Sequence, residues 1–441
     1  MSMKKKALSA LTALLLLSGA GCGKEPAPTP AVPEPAPAVP EVIQPEQAEP
    51  QPEPIVKTAQ ASIAATGDIL MHYPIIKTGQ MGDGTYNFDP VFTYFAPYVS
   101  EVDYAAANLE TTLSGLNNGY KYQGYPRFNC PDGVVEGLKT AGFDLLLTAN
   151  NHTYDTGEAG FLRTLQVVDE AELDRIGTHT DQEEKRYIVR DVNGIKVGMI
   201  CYTYETEDGD PNRKSLNGIP MSEKAGGLIN SFHYDRLDEF YTHLDTQLKA
   251  MEGEGAQATI VFVHWGNEYQ LKENDAQRAM AQGMCDLGVD VIIGGHPHVV
   301  QPVELLTASE DEAHHTVCLY SMGNAVSNQR TEQIPSAKGY TEDGVLFEVQ
   351  FAKYSDGTVL LEEVALLPTW VNLTRSEESG KTVYEIIPLD KSVEDWKTAF
   401  TLTDSELAGA EASYQRTMSI VGEGMENVRL YLENQPTPAE K

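Results

Sequence analysis

The stretch Asp290–Val300, DVIIGGHPHVV, organises the chain. Val291–Ile293 are apolar and β-branched, which favours a buried strand. Gly294 and Gly295 end the strand and permit a tight turn. His296 and His298 follow, with Pro297 between them. A proline disfavours helix at the residue before it, so this piece is expected to be extended. In extended chain, residues i and i+2 face the same side, with Cα atoms about 6–7 Å apart. Two imidazoles would then stand together at the carboxyl end of a core strand. That suits two metal ions about 3.5–4 Å apart, one histidine on each. His-x-His alone fits a histidine pair capping a loop equally well.

The other strand-like segments decide between these. Ala61–Asp68 (ASIAATGD) ends in Gly67-Asp68, and an acidic residue there is well placed for a metal or substrate. Val102–Glu110 (VDYAAANLE) ends in Asn108 and Glu110. Phe143–Ala149 runs into Asn150, Asn151, His152, Asp155 and Gly157. An asparagine oxygen can ligate a hard metal, so Asn151 is a candidate ligand. His152 can serve as general acid or base, with Asp155 orienting it. Ala258–Val263 (ATIVFV) ends in His264, with Glu268 four residues on. Thr316–Tyr320 leads to Asn324. Such recurrence favours a β-α-β layered α/β domain with ligands gathered at strand ends. The donors are carboxylate, amide and imidazole, without thiolate, which suits two divalent ions, Mn, Fe or Zn. Glu110 is the candidate bridge between them. A water shared by the ions would be the nucleophile.

Composition bounds the rest. Lys4–Lys6, an apolar run over Ala7–Leu17 and small residues to Cys22 resemble a signal peptide with a lipoprotein cleavage site, although Gly19 replaces the usual leucine. Lipidation at Cys22 would anchor the protein on the outer face of the cytoplasmic membrane; ordinary cleavage with secretion and an uncleaved anchor are the alternatives. Residues 23–58, rich in Pro, Glu and Ala, cannot bury a core and are expected to form a disordered stalk. Residues 59–352 are expected to be the main domain, and 353–441 an appendage of strands and a helical tail. The net charge of −33 argues against nucleic acid as a partner and requires a local cation to gather any polyanion. Cys130, Cys201, Cys285 and Cys318 lack metal-ligand spacing and are expected to be buried free thiols. Glu205–Gly227 is polar and irregular, and is read as a lid. His179, His233, His243, His314 and His315 are read as surface residues.

The motifs Gly67-Asp68, Asn108–Glu110, Ala149–Gly157, His264–Tyr269, Gly294–Glu304 and Ser321–Asn324, in that order, resemble the CapA family of poly-γ-glutamate capsule synthesis proteins. That family lies in the calcineurin-like metallophosphoesterase superfamily. The resemblance implies a four-layer α/β/β/α sandwich around a dinuclear metal centre. It implies Asp68 and His298 on the first metal, Glu110 as bridge, and Asn151, His264 and His296 on the second. His152 is similar to the acid near the leaving group, and Asp155 to its partner. Asn150, Glu268 and Asn324 stand in the same motifs and are expected to face substrate. The usual Asp-x-His opening is missing, leaving His72 as its only replacement, and the bridge is Glu where the superfamily has Asp. The implied role is synthesis, export or processing of poly-γ-glutamate or a related anionic polymer, beside a membrane-bound synthase complex. A free-standing metal-dependent phosphoesterase and a non-catalytic metal-binding scaffold are the alternatives.

Overall fold

Along the strand Lys57–Ile69, Ile63 and Ala65 face one apolar cluster while Ala64 faces another. In the strand Ala258–His264, Ile260 and Phe262 share the first of these clusters, and Val261 and Val263 turn to a third. A two-residue period with both faces apolar means strands covered on both sides. The computed structural model shows how. It describes residues 53–436 apart from 211–212 and 376–379, together with 28, 31 and 438. The chain divides into Met1–Glu53 and Pro54–Lys441, and this fold is that of the second unit. The expected signal segment, Cys22 and most of the stalk lie outside the described residues.

One sheet runs Thr382–Pro388, Val359–Arg375, Asp343–Tyr354, Lys57–Ile69, Tyr104–Asn108, Leu145–Leu147, Asp174–Ile176, with Asn324–Val326 also pairing Lys57–Ile69. The other runs Val303–Thr307, His315–Leu319, Val291–Gly295, Ala258–His264, Ile195–Tyr204, Ile188–Val192, with Ser231–Phe232 against Ile195–Tyr204. Ile63, Ala65, Phe347 and Val349 of the first sheet share one core with Met199, Ile260, Phe262 and Ile293 of the second. The helix Gly133–Ala141 covers the outer face of the first sheet through Val134 and Leu138. The helices Leu237–Gly253 and Asp275–Asp286 cover the outer face of the second through Phe240, Leu244, Met280 and Met284. The architecture is the expected four-layer α/β/β/α sandwich.

Two expected boundaries move. Lys57 and Thr58 already belong to the first strand, and residue 352 falls inside Asp343–Tyr354. Val359–Arg375 and Thr382–Pro388 continue the first sheet. The helix Asp404–Asn434, started by a Thr403–Glu406 capping box, inserts Val421 and Val428 into the core between the sheets. Asn193 and Gly194 both take left-handed φ (51° and 89°) and close the expected hairpin. Cys130, Cys201, Cys285 and Cys318 are buried free thiols.

The strands Lys57–Ile69, Tyr104–Asn108 and Leu145–Leu147 run parallel in the first sheet. Ile195–Tyr204, Ala258–His264 and Val291–Gly295 run parallel in the second. Parallel strands put their carboxyl ends on one edge, and there the polar motifs collect.

Candidate metal centre

Asp68 is placed by a bulge. The register against Tyr104–Asn108 shifts between Thr66 and Asp68, which re-aims the carboxylate. Gly67 allows it by size: a Cβ there would sit 1.9 Å from the Gly323 carbonyl oxygen. Asp68 accepts from Asn108 Nδ2 at 2.7 Å and pairs through Oδ2 with His298 Nδ1 at 2.9 Å. Glu110 is fully buried two residues past Asn108. His264 ends its strand in register with Gly295, so His296 is the first residue beyond it. The rings of His264 and His296 lie 4.9 Å apart, and those of His296 and His298 5.9 Å apart.

The chain between these histidines is bent, contrary to the extended form expected from Pro297. His296 has φ +98° and His298 φ +57°. Left-handed backbone outside glycine costs on the order of 1–3 kcal/mol and concentrates at functional sites. The Trp265 amide donates to the Gly295 carbonyl and the Tyr269 amide to the Pro297 carbonyl, fixing the turn from both sides.

These residues form two donor groups. Asp68, Glu110 and His298 make one; Glu110, His264 and His296 make the other; ligand atoms within each lie within 4.8 Å of one another. Glu110 belongs to both. Glu110 Oε1 and His296 Nδ1 are buried with no hydrogen-bond partner among the described residues. Buried polar atoms are almost always satisfied, so these orphans fit a site built for cations. Asn151 Oδ1 lies 2.9 Å from His264 Nε2, at the second group.

The electrostatics agree. Burial, then the negative charge of Asp68, drives the Glu110 carboxyl well above its ordinary range. Burial also pushes Asp68 up, but the hydrogen bond and charge of His298, with help from His264 and Asn108, hold it below. Burial lowers His264 to about 3, against the opposing pull of Asp68. Burial and the neighbouring histidines lower His296 likewise. Neutral imidazoles are the form that ligates divalent ions, and a buried carboxylate that resists ionising alone is one a neighbouring cation would help to ionise.

Next to Asn151, the buried His152 Nδ1–H donates to Asp155 Oδ2 at 2.7 Å. Asp155 is held in turn by the Phe128 amide at 2.6 Å. This fixes the ring and leaves Nε2 without a hydrogen bond among the described residues. Glu268 is exposed near Glu110 and Tyr204. Asn150 and Asn324, expected to face substrate, are both enclosed. Asn150 is fully buried, its amide spent on Asn108 Oδ1 and the Leu109 carbonyl. Asn324 is fully buried and donates to the carbonyls of His298 and Thr341, bracing the histidine loop. His72 belongs to neither donor group; its Nδ1 accepts from the Asn328 amide, and its ring packs on Phe128. His179 is buried, not on the surface, and His243 is half-buried against Tyr202.

Two site residues are ones the sequence reading missed. Tyr204 lies 4.8 Å ring-to-ring from His296; it ends a core strand as the ligands do, but as an aromatic it did not stand out. Asn217 forms the tip of the short hairpin Ser215–Leu216 and Ile219–Pro220, within the expected lid. Its Oδ1 accepts from Asn151 Nδ2 at 3.1 Å, which turns Asn151 Oδ1 towards His264. The Asn217-Gly218 pair was its signal, a turn dipeptide. Asn217→Ala is expected to weaken the ion beside Asn151 about tenfold while sparing the other. Calorimetric Mn²⁺ titration reads this, and equal affinities in both proteins would remove Asn217 from the site.

Residues 62–329 match the profile of a family described as bacterial capsule synthesis protein PGA_cap. The chain belongs to this family. The capsule biosynthesis protein CapA of Bacillus anthracis is 32% identical over 286 residues, 64% of this chain and 62% of that protein. The chain thus spans less than two thirds of that relative. The PGA biosynthesis protein CapA of Bacillus subtilis (strain 168) is 26% identical over 364 residues, 80% of this chain and 86% of that one. Among solved structures, a Staphylococcus aureus protein provisionally classed as a 5'-nucleotidase shares 14% identity at a TM-score of 0.39, over 81% of this chain and 58% of its own. That likeness is too low to bear on chemistry. The PGA_cap match spans both donor groups, His152 and Asp155.

Proposed function

We propose that this PGA_cap protein is a lipid-anchored hydrolase-like component of a system that makes, exports or processes poly-γ-glutamate or a related anionic polymer, on the outer face of the cytoplasmic membrane. Cys22 would carry the anchor, and a membrane-bound synthase complex would be its partner. One observation carries the site: Glu110 is shared by two buried donor groups and has an unpartnered oxygen. Asp68, Glu110 and His298 would hold one divalent ion, Mn, Fe or Zn; Glu110, Asn151, His264 and His296 would hold the other. Bound there, such ions supply the positive charge that an acidic protein needs to receive an anionic group, and they make water acidic enough to attack at neutral pH.

The chain's own residues supply the rest. His152 leaves Nε2 unbonded, where it can hold a proton and pass it to a leaving group. Asp155 fixes the ring for that transfer. Tyr204 and Asn217 wall the second donor group. Glu268 stands at the mouth as a carboxylate, selecting against anionic groups that do not reach the ions. The His152–Asp155 pair favours bond cleavage over a scaffold role, because a scaffold has no use for an oriented proton carrier. It fits a phosphoester as well as a γ-glutamyl substrate.

The purified protein should therefore turn over a γ-glutamyl or phosphodiester substrate, and His152→Ala should lower that turnover about 10²-fold or more. Unchanged turnover in the variant removes His152 from the chemistry. Failure on both substrate classes leaves metal-dependent holding as the function.

A further inference from the structure

A cavity of about 270 Å³ lies on the outer side of the second sheet, where the strand Ile195–Tyr204 ends. It is smaller than pockets for drug-sized ligands, so it suits one small group. Arg186, Lys214 and Arg236 all line it, in a chain of net charge −33. Glu205 sits beneath them with its side chain 4% exposed. It pairs with Lys214 at 3.1 Å and Arg236 at 3.2 Å and accepts from Ser231 Oγ at 2.8 Å. Glu239, exposed on the rim, also pairs with Arg236 at 3.5 Å, so two carboxylates face these two cations. Arg186 is a third. Among the described residues it pairs with no carboxylate and donates only to the Gln182 carbonyl, at 3.4 Å. Burial pushes its guanidinium down, and the charges of Glu184 and Asp181 oppose this from outside hydrogen-bond range. The positive field reaches His243 on the cavity wall: burial, then Arg186 and Lys214, hold it below its ordinary value.

One strand end links the cavity to the metal centre. Tyr204 packs on His296, and the next residue, Glu205, lines the cavity. The Phe232 and Tyr234 rings, 5.2 Å apart, continue the contact, with Tyr234 lying 6.4 Å from Tyr204. We propose that this cavity is a second anion subsite, in which Arg186 takes a carboxylate of the same polymer whose neighbouring unit is held at the metal centre. It rests on the polymer reading above. Cations serving only to neutralise Glu205 would not require Arg186. A repeating polycarboxylate is the ligand class that presents a second anion within reach of the first.

The test titrates the full, metal-loaded chain with γ-glutamyl oligomers of increasing length and with inorganic phosphate. In the wild type, affinity should step up at the length that spans both subsites. Arg186→Gln should remove that step, about tenfold or more for the longest oligomer, and leave glutamate and phosphate binding unchanged. Arg186→Lys should restore part of it. A length step that survives Arg186→Gln overturns the subsite and leaves the polymer reading standing. An equal loss for short and long ligands also overturns it. No γ-glutamyl binding to the wild type at any length brings down both.

Discussion

Glu110→Ala is expected to abolish binding of both divalent ions, whereas His298→Ala and His264→Ala should each lose one. The asymmetry follows from geometry. Glu110 supplies oxygens to both donor groups, while His298 and His264 each belong to a single group. Loss of a residue that merely supports a ligand costs 10–100-fold in metal affinity, so loss of a shared ligand should exceed about 100-fold at each ion. Metal content by mass spectrometry and competitive titration check this. A Glu110→Ala protein that keeps two ions would show that the groups are independent of Glu110. The same centre should stabilise the fold. Asp68 and Glu110 are fully buried, and stripping the ions leaves two carboxylates facing each other. At a free metal concentration of about 1,000 Kd, bound ions contribute roughly 4 kcal/mol each, which thermal unfolding with and without chelator would read.

Arg416→Met is expected to destabilise the fold by about 3–5 kcal/mol, because it strands a buried carboxylate. Arg416, on the helix Asp404–Asn434, holds Asp343 with two bonds, Nη2–Oδ1 at 2.6 Å and Nε–Oδ2 at 2.7 Å. Asp343 is 1% exposed on the strand Asp343–Tyr354. Burial pushes its carboxyl up to about 6, with Arg416 pulling it back. The folded value lies above the unfolded 3.8, so the folded state binds the proton more tightly. The stability this contributes is full below about pH 4 and lost as pH rises through about 6. Without Arg416 the carboxyl rises further, so the loss extends to higher pH. Chemical denaturation should therefore show a larger deficit at pH 8 than at pH 5. An equal deficit at both would mean that lost packing, not stranded charge, is the cause. Asp343→Asn in the same background should recover part of the deficit.

How much of the site was legible depended on the kind of residue. A run of small and β-branched residues ending in Gly, then Asp, Asn or His, betrays both a strand and its functional end. Asp68, Asn151, His264 and His296 stand out that way, and the structure brings Asp68, His264 and His296 into the donor groups, with Asn151 Oδ1 beside His264. Asn150 and Asn324 share those motifs, and their amides brace neighbouring backbone, which spacing alone does not announce. Tyr204, as an aromatic, and Arg186, as a lone cation in a strand-like run, carry no local signal of a site. The extended form expected for His296–His298 failed because tertiary hydrogen bonds from Trp265 and Tyr269 override the local preference set by Pro297.

The sequence by itself determined the donor types, their placement just beyond core strands, the alternating pattern that requires both strand faces to be covered, and the excess of acid that demands a local cation. These are local properties, set by each segment's own side chains. Only the tertiary structure decided which donors lie together, that Glu110 belongs to both groups, that Asn217 reaches Asn151, and that Arg186 lines a cavity with Glu205. Those depend on strand register and on two sheets packing face to face, with Asp68 and His298 meeting from positions 230 residues apart. Register is fixed by the burial of whole faces, so no single motif could have announced it.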